Sequence, residues 1–232
     1  MAIMSEYTLY TYFRSSSSAR LRIALNHKQI PHTLHPVNLL KNEHLADAHR
    51  ALNPSATVPL LVREQRDAPS ATPLRITQSL AALEYLDEAH PSTPHLLPRD
   101  DPDSRAAARA LAGIIASDTQ PVTNLRIVRR VRALGGDAEA WMRELMADGL
   151  AAYEAVAAAS AGRCSVGDDL SLADCCLMPA LWNAERYGVD LAPYPTIRRV
   201  RAYLDTLPAV VQAGYYVQPD CPADLRVEPS EQ

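Results

Sequence analysis

The run Arg14-Ser15-Ser16-Ser17-Ser18-Ala19-Arg20 gathers a row of hydroxyls between two guanidinium groups. It follows a β-rich stretch, Tyr7-Thr8-Leu9-Tyr10-Thr11-Tyr12. It leads into a helical pattern from Ser18 to His27, with Leu21, Ala24 and Leu25 on one face. A strand running straight into a helix presents unpaired N–H groups and the positive end of the helix dipole at the junction. With no cysteine in the run, C-x-x-C disulfide exchange is disfavoured. Serine hydroxyls can instead donate to a thiolate brought by a ligand. Lowering a thiol pKa by about two units needs roughly 2.7 kcal/mol. A helix terminus supplies only about 0.3–1 kcal/mol, and one charge-assisted hydrogen bond about 1.5–3 kcal/mol. A hydroxyl plus the dipole therefore suffices, and the dipole alone does not.

The plainer reading is that the serines only cap the helix, a position serine favours. Two further features weigh against it. Val58-Pro59, ahead of the apolar run Leu60-Leu61-Val62, is a candidate cis-proline site that would expose the Val58 backbone to an extended peptide ligand. Ile76-Thr77-Gln78-Ser79 opens another helix and offers N–H groups and a hydroxyl to a carboxylate. A contrasting helix start lies in Leu170-Ser171-Leu172-Ala173-Asp174-Cys175. Here Ser171 at the N-cap and Asp174 three residues on form a capping box, flanked by an apolar staple. That pattern assigns Asp174 to holding a buried helix start and not to acting as a base.

The elements that must position these residues divide by composition. Residues 1–90 read as β-α-β-α-β-β-α, with a parallel second strand over Thr33–Val37, a short helix from about Glu43 to Leu52, and a helix from Gln78 to Glu88. The polar stretch from Glu64 to Thr72 reads as a long hairpin loop. Residues 91–102, rich in Pro, Ser, Thr and Asp, suit a linker. Residues 103–217 carry four Ala-rich helical patterns, 103–134, 138–160, 171–187 and 195–207. Pro121 and Pro179 lie inside them as expected kinks or breaks. In the second pattern Met142, Leu145, Met146, Gly149, Tyr153 and Val156 recur at helical spacing, as a core stripe would. Residues 218–232 read as a loosely held tail.

Composition bounds the function. The chain has 232 residues, 47% of them hydrophobic and 22% charged, as in ordinary globular proteins. A net charge of −4 disfavours a nucleic-acid surface, and Arg126, Arg129, Arg130 and Arg132 read as a solvated helix face. There is no membrane-length apolar run and no secretory-type amino terminus. Cys164, Cys175, Cys176 and Cys221 lack zinc or C-x-x-C spacing, and the histidines show no H-x-x-x-H pair. A reducing, cytoplasmic setting without a metal site is expected.

Over nearly its whole length the chain resembles the zeta-class glutathione transferases, the maleylacetoacetate isomerase family. The resemblance is carried by Tyr10 through Leu25, by Ala51-Leu52-Asn53-Pro54, Val58-Pro59 and Gln78-Ser79, and by Gln120-Pro121 through Asn124-Leu125. It continues in Val166-Gly167-Asp168 to Ala173-Asp174 and in Asn183-Ala184-Glu185-Arg186. It implies a thioredoxin-like N-terminal domain (α/β) that binds glutathione, followed by an all-helical C-terminal domain completing the substrate pocket, in a homodimer. Position by position it implies Ser15 as the hydroxyl that activates the glutathione sulfur, with Ser16 and Ser17 beside it in the catalytic run. Val58 would bond the cysteinyl backbone, Gln78 and Ser79 the γ-glutamyl carboxylate, and His44 would meet the glycine end. Gln120 and Asn124, one helical turn apart, would line the active-site side of the second domain. Arg20 and Arg186 would bind substrate carboxylates, which suits guanidinium geometry.

Ser17 stands where the family usually has cysteine, and a serine cannot form a mixed disulfide or act as a soft nucleophile at neutral pH. The expected reaction is cis–trans isomerisation of maleylacetoacetate or a related maleyl acid. Two alternatives are a detoxifying transferase acting on small electrophiles such as α-haloacids, and a non-catalytic transferase-like interaction module.

Overall fold

The computed structural model of the chain describes residues 6–64 and 72–227. It divides into two compact units. One runs through Pro94 and takes up the chain again from Pro208; the other is His95–Leu207. The first division falls inside residues 91–102; the second, at Pro208, falls inside the stretch 103–217 expected as the all-helical domain.

In the first unit, β1 (Tyr7–Thr11), α1 (Ser16–His27) and β2 (His32–Pro36) form a β-α-β start, with β1 and β2 paired in parallel from Tyr7↔His32 to Thr11↔Pro36. A 3₁₀ turn (Glu43–Leu45) and α2 (Asp47–Leu52) lead to β3 (Leu60–Arg63), antiparallel to β1. Then come β4 (Leu74–Ile76), antiparallel to β3, and α3 (Ser79–Ala89). The strand order is β2-β1-β3-β4. Leu9, Leu60 and Leu61 are buried because the sheet is covered, and α1 is buried continuously from Ser18 to Leu25. On α3 the buried face is Ala82, Leu83 and Leu86, with Leu80 only half-buried. A buried ion pair, Lys28 Nζ to Asp87 Oδ1 at 3.0 Å, ties α1 to α3. Most of the expected hairpin loop, residues 65–71, lies outside the described residues.

The second unit is helical: α4 (Pro102–Gly113), α5 (Gln120–Val122), α6 (Leu125–Ala133), α7 (Ala138–Ala157), α8 (Leu172–Arg186) and α9 (Pro195–Leu204). The single helix expected over 103–134 is broken. A π-helical stretch, Ile114–Thr119, precedes α5, and α6 restarts at an Asn124 N-cap. Pro121, the expected kink or break, sits inside α5 directly after the π-helical stretch, and the chain leaves the helix two residues later, at Thr123-Asn124. Pro179 is accommodated inside α8. The core stripe of α7 is Met142, Met146, Leu150, Tyr153 and Ala157, whereas Val156 is exposed, so the expected stripe drifts off the core at its end. A Cβ at Gly149 would come within 2.0 Å of Thr119 Oγ1; only glycine allows α7 to approach the π-helical stretch this closely.

The short α10 (Pro208–Val211) begins the return to the first unit. The expectation of a loosely held tail fails over residues 218–227. Gln218 and Cys221 are buried, and Gln218 Nε2 donates to Gln212 O and Gly214 O. Proline and charge read as loose in sequence, but here the polar groups find main-chain partners. Residues 228–232 lie outside the described residues.

Candidate active site

Ser15 is the N-cap of α1 in extended conformation (φ −76°, ψ 112°), and its Oγ accepts a hydrogen bond from Ser18 N at 3.2 Å. No acidic residue occupies the first turn, so the positive helix end is not answered from within the helix. The bond from Ser18 uses Oγ as an acceptor and leaves the Ser15 O–H proton to donate. Ser15, Ser16 and Ser17 are half-buried. Ser16 Oγ lies 2.6 Å from Tyr215 Oη.

The turn that delivers Ser15 is held from behind by groups that sequence reasoning missed. Arg22, 1% exposed, donates to Thr11 Oγ1 (3.0 Å), Tyr12 O (3.4 Å), Phe13 O (3.0 Å) and Ala213 O (3.1 Å). Phe13 N donates to Asp220 Oδ2 at 2.8 Å, and Ser15 N to Tyr12 O at 2.9 Å. Burial pulls the Arg22 guanidinium down to about 10, while Tyr215 and Asp220 nearby work against that fall. Cys221 packs with Tyr12, Phe13, Val37 and Val58, and burial pushes its thiol up. An arginine among Leu21, Ile23, Ala24 and Leu25 was a readable sign of a buried cation. Tyr215 and Asp220 carried no sign, because their partners lie about two hundred positions away in the chain.

The Val58-Pro59 peptide bond is cis. Among the described residues, no hydrogen bond to the Val58 backbone N–H or C=O is found, while neighbouring Thr57 O accepts from both His49 and Asn53. Gln78 is the exposed N-cap of α3 and makes no side-chain capping bond; Ser79 begins the helix. Ser79 Oγ accepts from Arg20 Nη1 at 2.9 Å. Arg20 is 2% exposed, so it is placed as a support to Ser79 and not as the open carboxylate clamp expected from sequence. A long side chain on the inner face of α1 reaches the neighbouring helix before it reaches solvent. His44 is half-buried in the 3₁₀ turn.

The other expected site residues belong to the second unit. Gln120 opens α5 and Asn124 caps α6, its Oδ1 accepting from Arg126 N at 3.3 Å; a helix break separates the two, so they are not one turn apart on a single helix. Arg186 is exposed at the end of α8, donating to Asn183 Oδ1 at 2.8 Å with its guanidinium over the Tyr187 ring. Asp174 acts as expected. Its Oδ1 accepts from Ser165 N and its Oδ2 from Ser171 N, both at 2.8 Å, and Ser171 Oγ lies 2.7 Å from Oδ2. Among the described residues no group of three or more His, Cys, Asp or Glu is arranged to hold a metal ion. None of their helices is long and apolar enough to cross a membrane.

Comparison with known proteins places this geometry. A family model described as glutathione S-transferase, N-terminal domain, matches residues 14–89. A maleylacetoacetate isomerase of Aspergillus fumigatus is 54% identical over 225 residues, covering 96% of each chain. A crystal structure of maleylacetoacetate isomerase from Anaeromyxobacter dehalogenans, with glutathione bound in its active site, superposes with a TM-score of 0.84 at 42% identity. It covers 93% of this chain and 98% of its own. The holo structure of a bacterial zeta-class maleylpyruvate isomerase superposes with a TM-score of 0.85 at 43% identity, covering 93% of this chain and 100% of its own.

Proposed function

The chain belongs to the zeta-class glutathione transferases, the family of the maleylacetoacetate isomerases, and we propose that it isomerises maleylacetoacetate or a related maleyl acid from cis to trans with glutathione as cofactor. One observation carries the reading: a capping serine whose oxygen is engaged by Ser18 N and whose proton is left to donate. The neighbouring residues fit a tripeptide that carries a thiol and free carboxylates. The Val58 backbone offers a donor and an acceptor to an extended peptide, and the start of α3, with Gln78 and Ser79, offers N–H groups to a carboxylate. Arg20 orients Ser79 from within the core. His44 is the candidate for the glycine end, and Gln120 and Asn124 are further candidate ligand contacts.

Bound glutathione supplies a thiolate that adds reversibly to the cis double bond, allowing rotation about the resulting single bond before the sulfur leaves. The protein's part begins with Ser15, which donates its proton toward the sulfur while the helix dipole adds a smaller term in the same direction. Ser17 cannot form a thiolate, so the run itself contributes donors and no nucleophile. Arg186 is the candidate for a substrate carboxylate, which its planar fork of donors fits. We place the enzyme in the cytoplasm, as a homodimer, in tyrosine and phenylalanine catabolism.

The deciding experiment is a glutathione-dependent isomerase assay of the purified chain on maleylacetoacetate and maleylpyruvate. Turnover of at least one is expected. Turnover of α-haloacids alone would sink the isomerase reading and leave a detoxifying transferase. No binding of millimolar glutathione by calorimetry would leave an interaction module.

A further inference from the structure

The polar groups immediately before Ser15 are satisfied by the far end of the chain together with Arg22. Phe13 N donates to Asp220 Oδ2 at 2.8 Å, and the Tyr12 and Phe13 carbonyls accept from Arg22, which also donates to Ala213 O and Thr11 Oγ1. Tyr215 Oη joins Ser16 Oγ at 2.6 Å, at the first residue of α1. Cys221 shares one buried cluster with Phe13 and Val58, so the same segment packs with both the turn that carries the hydroxyl and the residue beside the cis-proline. A loop held by side chains in this way takes its coordinates from them, because no strand or helix ladder sets its main chain.

We infer that the C-terminal segment is a working part of the thiol-activating turn, with Asp220 and Tyr215 as positioning residues for Ser15 and Ser16. The inference rests on the glutathione reading above. Asp220 sets the main chain two residues before Ser15, and Tyr215 fixes the residue after it. Arg22 ties Ala213 O, two residues before Tyr215, to the strand end at Thr11 Oγ1. A donor displaced by about 1 Å can cost on the order of a hundredfold in rate, so small shifts of this turn register in the chemistry. A purely architectural segment would affect stability and leave the reactivity of the bound thiol unchanged.

The test uses the purified full-length protein. The thiolate absorbance of bound glutathione is followed against pH, together with kcat and KM. In Asp220→Ala and in Tyr215→Phe the titration midpoint should rise by about half a unit to one unit. The thiolate fraction below the midpoint then falls about threefold to tenfold. Turnover should fall in step, with KM for glutathione changing less. Asp220→Asn keeps an oxygen able to accept from Phe13 N, and should retain most of the original midpoint. If Asp220→Ala does not fold, Tyr215→Phe, which removes a single hydroxyl, decides the matter. Midpoints that match the parent protein in the folded variants, with only thermal stability lowered, overturn the inference while the glutathione reading stands. A parent protein that shows no bound thiolate sinks the glutathione reading first, and this inference with it.

Discussion

Among the described residues two helices begin with a serine N-cap, and the two starts have opposite fates. At α8, Ser171 is followed three residues later by Asp174, whose carboxylate oxygens accept from Ser165 N and Ser171 N. Ser165, Ser171 and Asp174 are all buried. The anion that the helix end attracts is supplied internally, and no ligand is needed. At α1, the corresponding position is Ser18, whose side chain carries no charge, and Ser15 is half-buried with its proton still to give. A serine cap is therefore not functional or structural in itself. What decides is whether the helix supplies its own anion in the first turn.

The sharpest way to break the comparison is to open the closed start. Asp174→Ala leaves two buried N–H donors without acceptors, and each such donor costs about 1–3 kcal/mol. Denaturant unfolding should show a loss of about 4 kcal/mol, with turnover per folded molecule close to normal; a loss under about 1 kcal/mol would mean the box is not holding the helix. At the open start, Ser15→Ala should lower isomerase turnover about a hundredfold and stability by only about 1 kcal/mol, the usual worth of a cap. Unchanged turnover would remove Ser15 as the activating donor.

A third variant makes the open start resemble the closed one. Ser17→Asp places an anion in the first turn of α1 and should stabilise the helix by about 0.3–1 kcal/mol. The same charge raises the pKa of a nearby thiol, so turnover should fall about fivefold to tenfold while the melting temperature holds or rises. If turnover holds, the helix end plays no part in the chemistry. The smallest effect is in pH dependence. Burial, prevailing over the donated hydrogen bonds, pushes the Asp174 carboxyl above its ordinary value. The stability tied to a group raised in this way is fully present below its unfolded value and is lost as pH rises through the folded one. Unfolding midpoints should therefore decline from acid toward neutral pH less steeply in Asp174→Asn than in the parent protein, and equal slopes would show that the carboxyl does not titrate there.

Much of the local architecture was legible in the chain. A run of β-favouring residues marked β1, the parallel β2 followed from the helix between them, and the capping box at Ser171 was read from spacing alone. Those features depend on neighbours within a few positions, where side-chain periodicity and hydrogen-bonding chemistry act directly. The readings that failed depended on distant partners. Val156 continues the helical period of α7 yet faces outward, because what α7 packs against decides which stripe is core. Arg20 looked like a clamp from its chemistry, and it proved to be buried against Ser79, 59 positions away.

The serine run, the missing acid in its first turn and the Val58-Pro59 pair are properties of the sequence itself. They point to an anionic group such as a ligand's thiolate at the α1 start, since donor type and helix polarity follow from residue identity. Only the tertiary structure decided what holds that start in place. Residues 208–217 read as the close of the all-helical domain and residues 218–227 as part of a loose tail. They return to the first unit, where Ala213 O, Tyr215 Oη and the Asp220 carboxylate meet Arg22, Ser16 and Phe13. The physical reason is that a buried turn must satisfy its polar groups wherever partners can be found, and chain distance places no limit on that search.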